Sequence, residues 1–150
     1  MEAWTGARFH FDLFASESNT KCRNYATKFP TTLNASANAF SLSWNLLGLT
    51  FACPPPSLAV PALRQYAKQK VSGVLMLPLW QSANYWPLIC PDGLHLARFV
   101  VRFLIMTPSL KVGKDVISKT FRRKMPFIIM LIDGNVNKCW ERSALCPKRK

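Results

Sequence analysis

Two short stretches of the chain place chemically useful residues where strands would end. The first is Asp12-Leu13-Phe14-Ala15-Ser16, which closes an apolar run starting at His10. A carboxylate at a strand end can accept hydrogen bonds from the amino or hydroxyl groups of a cofactor, or it can cap the turn that follows. The second is Cys53-Pro54-Pro55-Pro56, which stops the run Leu49-Thr50-Phe51-Ala52 abruptly. Consecutive prolines have no N–H to donate and hold their carbonyls rigid, so those carbonyls can accept from a substrate amine; prolines also simply terminate edge strands. Other constellations are missing. No Gly-x-Gly phosphate loop occurs, no Cys-x-x-Cys pair occurs, and the 7 carboxylates are scattered rather than clustered as a metal-ion pair needs.

The elements that would position these residues read as α/β in the first half of the chain. His10–Ala15 suggests a short strand, and 28–37 a loop rich in Thr, Asn and Ser around Pro30. Residues 39–47 are apolar enough to pack without declaring helix or strand. After the prolines, Ser57 is placed to cap a helix running to about Lys70. Ala59, Ala62, Leu63, Tyr66 and Ala67 share its apolar face, while Arg64, Gln65, Lys68 and Gln69 lie opposite. Gly73-Val74-Leu75-Met76-Leu77 has no polar alternation, as in a parallel strand buried on both faces. Strand, helix and strand between Leu49 and Leu79 span 31 residues, the size of a βαβ unit. Residues 82–89 suggest a further short helix, 94–106 a helix or a strand, and Phe127–Ile132 a buried strand.

Charge separates the chain into two parts. The 150 residues carry 20 Lys+Arg and 7 Asp+Glu, a net charge of +13. Residues 1–93 hold 7 basic and 4 acidic residues, whereas 94–150 hold 13 basic and 3 acidic. Such a basic segment suits a polyanionic partner, DNA or RNA, through Lys119, Arg122, Arg123 and Lys124 in particular. It suits equally a solvated face, since no nucleic-acid-binding motif accompanies it. The start Met1-Glu2-Ala3-Trp4 lacks the pattern of a secretion signal, and the most apolar stretch, Leu94–Met106, is interrupted by Arg98 and Arg102. The expectation is an intracellular protein without a membrane span, its 5 cysteines reduced.

The order of these motifs resembles a known family. Asp12-Leu13-Phe14-Ala15-Ser16 with Asn19, Cys22 and Tyr25 resembles the D-x-x-A-S-x-x-N-x-x-C-x-x-Y opening of phage-type DNA adenine methyltransferases. Ser41-Leu42-Ser43-Trp44 is similar to the family's serine–leucine–tryptophan stretch. Phe51-Ala52-Cys53-Pro54-Pro55-Pro56 falls where the family has its N-P-P-Y or D-P-P-Y box, and Tyr85-Trp86 matches a later aromatic pair. The closest form is the methyltransferase-like segment downstream of reverse transcriptase and RNase H in DIRS-type retrotransposon polyproteins. There, a V-x-x-L-P-x-W strand recurs, present here as Val74-Leu75-Met76-Leu77-Pro78-Leu79-Trp80. The resemblance covers about residues 9–90. It implies a partial Rossmann-like parallel sheet for that part, followed by a basic extension, 91–150, with no recognised domain.

The resemblance also implies a site. Such an enzyme binds S-adenosylmethionine in the sheet, here with Asp12, Phe14 and Ala15 as the cofactor-binding candidates, and flips an adenine out of the duplex. In the box, the Asn or Asp side chain and the first Pro carbonyl accept from the adenine amine, and the aromatic residue stacks on the base. At the corresponding catalytic positions Cys53 has no carboxamide oxygen and Pro56 no aromatic face, leaving only the Pro54 carbonyl, with Pro55 behind it. Losing one such acceptor typically costs about 10²–10³ in rate. The expectation is a retrotransposon-derived, catalytically inactive methyltransferase-like protein that holds no cofactor; a basic nucleic-acid-binding protein of a mobile element is the alternative. His95-Leu96-Ala97-Arg98 is similar to one piece of the tyrosine recombinases, but no tyrosine follows Tyr85 to act as their nucleophile.

Overall fold

The computed structural model describes residues 8–16, 18–28, 33, 35–107 and 125–134. They form an α/β structure around one seven-stranded mixed sheet in the order β3-β2-β1-β4-β5-β7-β6. The strands are β1 (Phe11–Asp12), β2 (Asn24–Thr27), β3 (Ala35–Ala37), β4 (Thr50–Ala52), β5 (Ser72–Pro78), β6 (Val100–Met106) and β7 (Phe127–Asp133). From β3 to β5 all neighbours are parallel, and β7 runs antiparallel to both β5 and β6.

The long central strands follow from side chains that are apolar on both faces. Along β5, Val74 and Met76 join Phe9, Phe51, Phe127 and Ile129 on one side of the sheet. Leu75 and Leu77 join Ile128, Met130 and Ile132 in the larger core on the other. That core is closed by helix α1 (Ala59–Gln69), which buries Ala59, Ala62, Leu63 and Tyr66, and by α2 (Trp86–Ile89). β4, α1 and β5 make the expected parallel βαβ unit.

Several local expectations are corrected. Ser57 does not cap α1: Pro56–Leu58 form a 3-10 turn, closed by the Leu58 N–H donating to the Pro55 carbonyl at 2.8 Å, and no side chain caps the helix. Ala67 is exposed rather than packed, because the buried face of α1 drifts away from it after Tyr66. The first strand is two residues long because Leu13 and Phe14 turn out of the sheet. β3 occupies the end of the segment expected to be loop, and β2 was not anticipated. Residues 39–47 are neither helix nor strand but two 3-10 turns, Ala39–Ser41 and Trp44–Leu46.

The sheet also crosses the boundary drawn at residue 90. β6 and β7 come from the basic half, and β7 pairs with β5 along its whole length, from Ser72↔Asp133 to Pro78↔Phe127. An apolar strand edge at β5 has to be paired, and Phe127–Ile132, apolar on both faces, does so, with β6 beyond it. The expectation of reduced cysteines holds for Cys22 and Cys53 and fails at Cys90, which is disulfide-bonded. Among the described residues no helix is long and apolar enough to cross a membrane.

Candidate functional site

Strand order reverses between β1 and β4: the chain steps outward from β1 to β2 and β3, then returns to β4 on the other side. In open α/β sheets the crevice at the carboxyl ends of two such strands is where ligands bind. β1 and β4 pair in register, Phe11↔Thr50 and Asp12↔Phe51, and the Leu13 N–H donates to the Phe51 carbonyl at 2.9 Å. Asp12 and Cys53-Pro54-Pro55-Pro56, separated by forty residues of chain, are thereby brought to the same end of the sheet.

Asp12 is 2% exposed, and both of its carboxylate oxygens are engaged by its own chain. Oδ1 accepts from the Phe14 N–H at 3.3 Å and Oδ2 from the Lys21 N–H at 2.9 Å. A second staple closes the same loop: Asn19 Oδ1 accepts from the Ser16 N–H at 2.7 Å, and the Thr20 N–H donates to the Ser16 carbonyl at 3.0 Å. The Asp, Ser and Asn of the first motif are thus the hydrogen-bonding frame of the β1–β2 loop, and a ligand touching Asp12 would need that loop displaced. Phe14 packs its ring against Phe40, with centroids 5.6 Å apart, and the Ala15 N–H donates to the Ala26 carbonyl at 3.0 Å. Phe14 and Ala15 are half-buried, whereas Asp12 is buried.

Burial pushes the Asp12 carboxyl above its usual value of 3.8, opposed by the Lys21 and Phe14 N–H groups and by the Lys21 ammonium. A raised folded-state pKa stabilises the fold below the unfolded value, and that contribution is lost as pH rises through the folded one. The natural chain is therefore expected to lose stability relative to Asp12→Asn as pH increases from about 3.8 upward. Urea unfolding of both proteins across pH 3–7 measures this, and a gap that stays constant or moves the other way contradicts it. At neutral pH Asp12→Ala, which leaves two loop N–H groups without their acceptor, is expected to cost about 1–3 kcal/mol.

Cys53 is a free, half-buried thiol. Burial and then the Asp12 carboxylate push it up to about 11, with the Lys21 ammonium opposing. At neutral pH it is a protonated thiol, neither a nucleophile nor a strong hydrogen-bond acceptor. Pro54 is buried, Pro55 is exposed, and Pro56 begins the 3-10 turn before α1. The Pro55 carbonyl is taken by the Leu58 N–H, whereas the Pro54 carbonyl takes no part in the backbone bonding of the turns around it.

The other residues of the motif order are structural. Trp44 is fully buried and its indole N–H donates to the Ala39 carbonyl. Tyr85 and Trp86 are buried, with the Tyr85 hydroxyl donating to the Pro78 carbonyl. His95 is tied to Asp92 at 2.9 Å on an exposed turn. Lys21, not singled out from the sequence, is the cation that acts on both Asp12 and Cys53; its only sequence signal is its place in the loop that Asp12 must cap. Among the described residues no group of His, Cys, Asp and Glu could hold a metal ion. Lys119, Arg122, Arg123 and Lys124 lie outside the described residues. No protein-family model matches the chain, and no curated protein matches it.

Proposed function

We propose that this protein is a methyltransferase-like scaffold of retrotransposon origin that neither transfers methyl groups nor holds S-adenosylmethionine. The observation carrying the proposal is the placement of Cys53-Pro54-Pro55-Pro56 at the carboxyl end of β4, facing Asp12 across the point where strand order reverses. The parallel part of the sheet runs 3-2-1-4-5, as in the first five strands of the doubly wound nucleotide-binding order, and the antiparallel β7 stands between β5 and β6. That order supports a Rossmann-like scaffold, the motif order in the sequence is what suggests the origin, and the occupants of the crevice support the loss of activity.

The residues present do not fit the cofactor or the chemistry. Asp12 is 2% exposed, and its oxygens each already accept one loop N–H, from Phe14 and Lys21, so a ligand has little access to it. Cys53 offers a protonated thiol where an adenine amine would need a carboxamide or carboxylate oxygen. Pro56 opens a 3-10 turn and offers no face for a flipped base. The Pro54 carbonyl, the one acceptor left, is insufficient alone.

Two measurements test the proposal. Incubating the full chain with DNA and S-adenosylmethionine labelled at the methyl group is expected to give no transfer above background, and equilibrium dialysis to retain no label. Transfer or retention overturns the reading of lost activity. The DNA flanking the coding frame is expected to hold a reverse transcriptase–RNase H frame upstream, and its absence there overturns the reading of origin.

A further inference from the structure

At the opposite end of the sheet, the amino end of β5 meets the carboxyl end of β7, and a cavity of about 300 Å³ opens there. Leu63, Phe99 and Ile132 line it with Tyr66, Ala67 and Gly134, and Arg98 is the charged residue of the lining. Its shape depends on a close approach of backbones: a Cβ at Gly134 would lie 2.4 Å from the Tyr66 carbonyl oxygen and 2.7 Å from the Val71 nitrogen. The Tyr66 hydroxyl points away from the cavity's needs, since it is already bonded to Thr50 Oγ1 at 3.0 Å. That leaves Arg98 as the one charged side chain in the lining. Arg98 is exposed and has no ion pair among the described residues.

We propose that this cavity binds a small amphipathic carboxylate, with its apolar part against Leu63, Phe99 and Ile132 and its carboxylate on the Arg98 guanidinium. The volume is at the lower end of small-molecule sites, which combine mostly apolar walls with a few polar groups that set orientation. The guanidinium fork matches a carboxylate in two parallel hydrogen bonds, which selects that anion over a neutral head group. This site is independent of the β1–β4 crevice and of the function proposed for it.

The test uses octanoate and octanol as probes, which share a tail and differ in charge, titrated into the full chain by calorimetry. Octanoate is expected to bind about tenfold or more tighter than octanol, the discrimination a charge-assisted contact supplies at a partly exposed site. Arg98→Gln should bring octanoate down to the level of octanol, and Arg98→Lys should restore part of the difference. Ala67→Trp, at an exposed helix position on the cavity rim, should fill the space and abolish both. Circular dichroism of each variant confirms the fold. Equal binding of the two probes, insensitivity to Arg98→Gln, or an empty titration because the chain's own residues fill the cavity would each overturn the proposal.

Discussion

Trp44→Ala is expected to remove a large share of the stability of this fold. The indole is fully buried beneath the turns that lead into β4. It meets the Tyr66 ring edge-on at 4.9 Å and 71°, and the Phe40 ring at 6.1 Å, extending an aromatic row that begins at Phe14. Its Nε1–H donates to the Ala39 carbonyl at 2.8 Å, and Gln69 Oε1 accepts from its backbone N–H at 2.6 Å, tying the turns to α1. Truncating a buried tryptophan typically costs about 3–5 kcal/mol, a large share of the roughly 5–15 kcal/mol that holds a domain together. Trp44→Phe keeps much of the apolar volume and loses the indole donor; the Ala39 carbonyl keeps the Leu42 N–H at 3.3 Å, so the lost bond is expected to cost only about 0.5–1.5 kcal/mol. Urea unfolding orders the two variants. A Trp44→Ala cost below about 1 kcal/mol would mean that the indole does not organise this part of the core.

Gly73→Ala is expected to be strongly destabilising, although it adds one methyl group. A Cβ at Gly73 would lie 2.4 Å from Thr50 Oγ1, 2.8 Å from the Tyr66 hydroxyl and 2.9 Å from the Thr50 carbonyl oxygen. The two side-chain atoms are a buried hydrogen-bonded pair, and burial holds the Tyr66 phenol well above its ordinary titration range. Making room means separating that pair in a dry interior. Overpacking of about 1–3 kcal/mol then combines with unpaired hydroxyls at about 1–3 kcal/mol. In a Thr50→Ala background the same substitution should cost about 1 kcal/mol less, a coupling that a double-mutant cycle reads directly. The rescue is partial because the Thr50 carbonyl is still in the way. Strict additivity would show that the pair is not what excludes a side chain at residue 73.

How much could be read in advance depended on how each element is buried. β5 and β7 are apolar on both faces, so Gly73–Leu77 and Phe127–Ile132 announce themselves as buried strands with no periodicity to resolve. α1 declares itself by its spacing, with a proline near its start. β2 and β3 are short and partly exposed at one edge of the sheet, and their formation rests on pairing, β2 with β1 and β3 with β2, rather than on their own composition. β6 shows the same dependence: Arg98 and Arg102 blur its pattern, and its pairing with β7 settles it as a strand. The boundary at residue 90 follows the extent of the resemblance, whereas the sheet follows the supply of apolar strands.

The candidate site divides in the same way. Residue types and their order determine that Asp12 ends one strand, that a cysteine and three prolines end another, and that neither a carboxamide nor an aromatic ring stands in the second. These are properties of side chains and of local backbone, and they need no fold to be read. The tertiary structure decided that β1 and β4 are neighbours, and that the Asp12 carboxylate is consumed by N–H groups from two and nine residues along the chain. It decided equally that Arg98, with no ion pair among the described residues, lines a cavity at the far end of the sheet. Whether a polar group is free for a ligand depends on which donors and acceptors the fold brings within 3 Å or so, and that distance is set by packing between segments remote in sequence.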